Sequence, residues 1–150
     1  MNAICADSGF LIGLYDERDE FHERATQYFS DLFANTLNQL VIPWPIVYET
    51  ISTRMVRNRQ RMIVLERDWK RLQAKQQLVL LDDRPFRAGV IDECFDETRK
   101  PPMHYRHLSA VDRVMRNILA DISIRIDIFV TFNVKDFSDV CKVTRRTILS

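Results

Sequence analysis

Net charge is almost missing from this chain. Twenty-two Lys and Arg stand against 21 Asp and Glu, a formal +1, so bulk charge does not announce a nucleic-acid binder. Cysteine is scarce too. Cys5, Cys94 and Cys141 are odd in number and far apart, and no C-x-x-C occurs. That argues against a disulfide framework and a zinc ribbon, and Cys5, inside an apolar run, reads as a small core residue. No apolar run approaches a membrane span in length. No basic segment precedes the first apolar run, as a secretory signal would need, and no repeat or low-complexity tract occurs. The expectation is a cytoplasmic protein with no membrane contact. What remains is ordinary globular usage, 46% hydrophobic and 29% charged, over 150 residues. That length suits one domain spanning 1–150 with a sizeable core.

The organisation alternates. Ala3–Ala6 (AICA) is a short apolar run, the pattern of a strand buried on both faces. A long helical segment follows, with Phe21, Ala25, Tyr28, Phe29, Leu32 and Phe33 on one stripe. Leu40–Pro43 reads as a second strand, and Pro45 suits the first turn of a helix predicted from Ile46 to about Arg57. Another helix runs through MIVLERDWKRLQAK. Leu78–Leu81 (LVLL) is a third strand, followed by a helix over roughly 84–97. The loop TRKPPMHYRH leads to a helix starting near Ser109, Ile128–Phe132 is a fourth strand, and RTILS is a candidate fifth. Strands alternating with helices predict a three-layer α/β/α sandwich around a five-stranded, mostly parallel sheet.

In such sheets sites form outside the carboxyl ends of the strands, where the strand order reverses. Asp7 ends the first strand and Asn133 follows the fourth, so both belong at that edge. Asp112 falls in phase with Leu108, Met115 and Leu119, and Glu49 shares a helix side with Ile46, Thr53 and Val56. An inward carboxylate is costly unless it is paired or binds a metal. Asp7, Glu49 and Asp112 in one cleft would make a hard-oxygen site suited to Mg²⁺ or Mn²⁺.

The ordered succession ADSGFLIGL, VYET, LSAVDRVM and VTFNVKDF resembles a PIN-domain ribonuclease, and most of all the VapC-type toxins of bacterial toxin–antitoxin pairs. The resemblance runs over nearly the whole chain. It implies metal-dependent endonucleolytic cleavage of RNA, a cognate antitoxin and a homodimer. Asp7, Glu49 and Asp112 match the family's first three acidic positions. The fourth matches Thr131, Asn133, Asp136 and Phe137. Asn133 stands where aspartate is common, so either Asn133 or Asp136 would complete the metal ligands. In this reading Asp7, Glu49, Asp112 and Asp136 are the catalytic set, while Ser8, Thr131, Arg54 and Arg57 meet the substrate.

Each of these residues also has a structural reading. Asp7 and Ser8 suit a helix cap, and Glu49 a helix surface. Asp112 suits a buried pair with Arg113 or Arg116. Asn133 with Asp136 suits a near capping box. His104 and His107 lie in a Pro-rich loop and read as solvated, and Trp44 and Trp69 read as core or interface residues. From Ser52 to Lys75 eight basic residues face two acids, Glu66 and Asp68, either an RNA-backbone surface or a solvated helix pair. A haloacid-dehalogenase-type phosphatase needs a second Asp where Gly9 stands, and a receiver domain needs its Thr and Lys on different strands, unlike Thr131 and Lys135. The remaining alternative is a catalytically weak PIN-like module that binds RNA or protein without cutting.

Overall fold

The computed structural model describes residues 1–150. In chain order the elements are β1 (Ala3–Ala6), α1 (Ser8–Tyr15), α2 (His22–Phe33), β2 (Gln39–Pro43), α3 (Trp44–Thr50), α4 (Thr53–Val56), α5 (Arg59–Ala74), β3 (Leu78–Leu81), α6 (Val90–Glu97), α7 (Ala110–Ala120), β4 (Ile128–Val130), α8 (Val134–Thr144) and β5 (Thr147–Leu149). The strands form one sheet in the order β3-β2-β1-β4-β5. All four pairings are parallel, so the sheet is wholly rather than mostly parallel. β1 is central and buried along its whole length, as AICA predicts for a strand covered on both faces. β3 and β5, at the two edges, are only partly covered.

Local chemistry explains where the helices depart from simple periodicity. The segment after β1 is two helices, separated by a turn over 16–21. The helix predicted from Ile46 to Arg57 breaks at Ile51 and Ser52, which leave the helical region. Thr50, Ile51, Ser52 and Thr53 are four successive residues of weak helix preference. The helix predicted over 84–97 is a short 3₁₀ turn, Arg84–Phe86, followed by α6. Gly89 separates them at φ +77, a conformation that glycine adopts without steric penalty. The stripe on α2 faces the core as predicted, with Ala25 buried and Tyr28, Phe29, Leu32 and Phe33 packed beside it.

The topology fixes where a site can form. From β1 the chain steps outward through β2 to β3, then returns to the other side of β1 for β4 and β5. The strand order therefore reverses between β1 and β4, and their carboxyl ends open a crevice there. Ala6 pairs with Val130 across this boundary, which sets Asp7 beside Thr131.

One helix entering the crevice has a buried anchor. Glu97, 3% exposed, ends α6. It accepts from Lys100 Nζ at 2.8 Å, from the Arg106 backbone N–H at 2.7 Å and from Arg113 Nη2 of α7 at 3.2 Å. This ties the Pro-rich loop and α7 together. The Lys100 and Arg106 hydrogen bonds, with Arg113 behind them, bring the Glu97 carboxyl down from its ordinary 4.5 to about 2. A depressed carboxyl contributes stability above its unfolded pKa and loses it as pH falls through the folded one. Glu97→Gln therefore lowers the urea midpoint at pH 7, and the difference from wild type closes as the pH approaches 2. A difference that stays constant with pH contradicts a charge-based anchor.

Candidate active site at the β1–β4 crevice

Asp7 stands at the centre of the crevice. Leaving β1 in extended geometry, it is the N-cap of α1, and Oδ1 accepts the Ser8 backbone N–H at 2.8 Å. Oδ2 accepts the Thr131 hydroxyl at 2.7 Å. Thr131 is fully buried, and its Oγ1 also accepts the Asn133 backbone N–H at 3.0 Å. A single relay thus runs from the turn after β4 into Asp7. The capping role and the central position coexist in one side chain.

Asp7 is 9% exposed. Burial pushes its carboxyl up from the ordinary 3.8 to about 6. The charges of Asp112 and Glu49 add to the rise, and the hydrogen bonds from Thr131 and Ser8 offset part of it. The structure therefore brings the fields of these three carboxylates together, although 105 positions separate Asp7 from Asp112 in sequence (112 − 7).

Asp112 is half-buried in the first turn of α7 rather than on its core face, which is formed by Val114, Met115, Ile118 and Leu119. It closes a capping box: its backbone N–H donates to Ser109 Oγ at 3.0 Å, and its Oδ2 accepts the Ser109 N–H at 2.8 Å. The buried pair with Arg113 or Arg116 is not formed. Arg113 turns to Glu97, and Arg116 turns to Asp139 at 2.7 and 2.8 Å. Glu49 is half-buried on α3 and has neither an ion pair nor a hydrogen-bond partner.

The fourth position differs from the capping-box expectation. Asn133 is the N-cap of α8, yet its side chain makes no capping bond. Its Nδ2 donates to Asp136 Oδ2 at 2.6 Å instead. Asp136 is thus held by Asn133, while the Asp136 backbone oxygen accepts Arg116 Nη1.

The substrate-facing arginines divide. Arg54 is held by Asp16 at 2.8 Å and by Asp19 at 3.4 Å. Arg57 is exposed and unpaired. Five of the eight basic residues between Ser52 and Lys75 are ion-paired, with Arg61 buried against Asp16 and Glu17. The acidic turn over 16–19 takes up two of these five, Arg54 and Arg61, while Glu66 and Asp68 of the segment itself hold the other three. Only Arg57, Arg59 and Lys75 of that segment remain unpaired. Ser109 was read in sequence as a helix start, without a role at the site, although S-x-x-D before an apolar run signals a capping box. Asp16 and Asp19 had no local signal, since their partners lie 35 or more positions away.

The donor chemistry of the crevice fits a hard divalent cation. All the side-chain donors are oxygens, and no arginine or lysine pairs with the Asp7, Glu49 or Asp112 side chain. The ligand set does not close as it stands, since no three His, Cys, Asp or Glu side chains form a group able to hold an ion. The physical reason is visible in the hydrogen bonds. Asp112 is drawn to the Ser109 N–H and Asp136 to Asn133, so each carboxylate has a local partner.

No protein-family model and no curated protein matches the sequence. Solved structures do match. Among them is Mycobacterium tuberculosis VapC20, described as a sarcin–ricin-loop-cleaving toxin, with a TM-score of 0.58 at 15% identity over 91% of this chain and 94% of that one. The likeness shows the fold: a PIN-like, all-parallel five-stranded sheet flanked by helices. No helix of the chain is long and apolar enough to cross a membrane.

The raised Asp7 carboxyl makes a signed prediction. The native state holds this proton between pH 3.8 and about 6 while the unfolded chain has lost it, so stability falls as pH rises through that window. The shift corresponds to on the order of 3 kcal/mol. Asp7→Asn keeps a capping side chain but removes the charge. In chelator it melts above wild type at pH 8, and the two melting curves converge near pH 4. A mutant that melts below wild type at pH 8 contradicts a carboxyl raised by burial and neighbouring charge.

Proposed function

We propose that this chain is a metal-dependent endoribonuclease that hydrolyses RNA phosphodiester bonds, and that it acts as the toxin of a toxin–antitoxin pair. The observation that carries the proposal is the buried Asp7 carboxyl at the strand-order reversal, raised to about 6 with the charges of Asp112 and Glu49 contributing. A buried, raised carboxyl in a crevice at the strand-order reversal is the pattern of a functional site. The toxin-type structural neighbour supports the same reading at the level of fold. The antitoxin partner and the cytoplasmic setting are carried over from the sequence reading. The homodimer implied by the resemblance finds no support in the fold or in that neighbour.

In this reading Asp7, Glu49 and Asp112 would hold Mg²⁺ or Mn²⁺, with Asn133 or Asp136 completing the set. The ion, when bound, polarises water and neutralises charge that develops on the phosphate. The chain's own residues do the rest. Thr131 directs its hydroxyl proton at Asp7 Oδ2, which fixes the carboxylate plane and leaves Oδ1 tied to Ser8. Ser109 fixes Asp112 through its backbone N–H. Glu49, free of partners, is the carboxylate suited to accept a proton from the attacking water. Arg57 is free for the RNA backbone, whereas Arg54 first has to leave Asp16 and Asp19.

A second reading is supported by two specific observations: the ligand set is not closed, and Asn133 occupies the position where a carboxylate is common. That reading is a PIN-like module that binds RNA or protein without cutting. Purified protein decides between the two. The nuclease reading predicts cleavage of single-stranded or looped RNA only with added Mg²⁺ or Mn²⁺, loss of cleavage in Asp7→Asn and in Asp112→Asn, and a rise in the wild-type melting temperature with metal that either mutant largely loses. RNA binding without cleavage at any metal concentration favours the binding module.

A further inference from the structure

A cavity of about 320 Å³ opens beside Asp7, and the hydrolytic reading gives its aromatic and glycine lining no role. Phe21 and Phe132 form its aromatic wall. Their rings are stacked, with centroids 4.3 Å apart and planes 12° from parallel, and both are partly exposed. The first turn of α1 adds Gly9, and Arg54 and Asn133 add polar groups. The volume lies at the small end for ligand pockets, about 300 Å³ and upward, which suits a single flat ring system.

Charge narrows the occupant. Asp7, Asp19 and Glu20 line the cavity against one cation, Arg54, which Asp16 and Asp19 already hold. A phosphate would be repelled there. A neutral planar group with N–H donors would not. Asn133 offers such a group an acceptor, because its Nδ2 is engaged by Asp136 and its Oδ1 has no partner.

Gly9 gives independent support. A Cβ built at Gly9 meets no atom within 4 Å, so the local packing does not demand glycine. A side chain would also favour the helix that Gly9 helps to start. The lack of one leaves open the space beside Asp7.

We propose that this cavity is a nucleobase subsite, holding the base next to the scissile phosphate as the RNA backbone passes Asp7. Phe132 and Phe21 supply the aromatic wall, Asn133 Oδ1 accepts from the base edge, which leaves Asp136 to complete the metal ligands, and Gly9 keeps the entrance clear. The inference rests on the nuclease reading and adds to it the recognition of one nucleotide.

The test uses the intact protein, Mg²⁺ and a randomised single-stranded RNA whose cleaved ends are sequenced, together with kcat/KM on one fixed RNA. Wild type shows a base preference at one position beside the cut. Gly9→Val and Phe132→Leu flatten that preference and lower kcat/KM by about tenfold, the scale of one lost base stack. Phe132→Tyr, which keeps the ring, restores both. Gly9→Val does not lower the melting temperature, which separates a filled cavity from a damaged fold. Wild-type rates with an unchanged preference in Gly9→Val and Phe132→Leu overturn the subsite and leave the nuclease reading intact. A wild-type protein that cuts with no base preference also overturns it. A wild-type protein that makes no cut removes the nuclease reading, and the subsite with it.

Discussion

The hydrogen bond from the Thr131 hydroxyl to Asp7 Oδ2 is the interaction on which the crevice depends. It crosses the boundary at which the sheet reverses its strand order, and it joins a residue just beyond β1 to one just beyond β4. Both partners are buried, so the bond is not exchanged for water. It fixes the side chain of Asp7, and through the Asn133 N–H it also fixes the turn that starts α8. The backbone repeats the join, because the Asp7 N–H donates to the Val130 carbonyl at 3.0 Å. Everything else in the site is arranged around a carboxylate that cannot move freely.

The surrounding charges are sorted rather than merely present. Cations close to the crevice are directed away from its carboxylates: Arg113 to Glu97, Arg116 to Asp139, Arg54 to Asp16 and Asp19. Each of these acids takes up an arginine, and no arginine pairs with Asp7, Glu49 or Asp112. Asp7, Glu49 and Asp112 are thus left without a cationic partner.

Much of this arrangement was legible in the sequence, for identifiable reasons. LVLL, an apolar run stopped by Asp82 and Asp83, became β3 with the expected bounds. Asp7 and Asn133 were placeable at one sheet edge because parallel connections put all carboxyl ends on the same side. Other features depended on distant neighbours. Nothing in the Ser52–Lys75 segment itself reveals that Asp16, Glu17 and Asp19 lie against it, so its basic charge was overestimated. Asp112 fell in phase with Leu108, Met115 and Leu119, a periodicity that masked the local capping box with Ser109. The break at Ile51 and Ser52 was hidden because Ile46, Glu49, Thr53 and Val56 stay in phase across it, and a phase says nothing of the weak helix preference of the residues at the break.

The raised Asp7 carboxyl is the central claim: burial is the main cause of the rise, and the field of Asp112 and Glu49 adds to it. Carbon-13 NMR titration of that carboxyl, in chelator and then with saturating Mg²⁺, measures the field without requiring catalysis. The account predicts a midpoint near 6 in chelator, a lower midpoint in Asp112→Asn, and a fall below the ordinary carboxylate range when Mg²⁺ is present. A midpoint near 4 that neither Asp112→Asn nor Mg²⁺ displaces would contradict it.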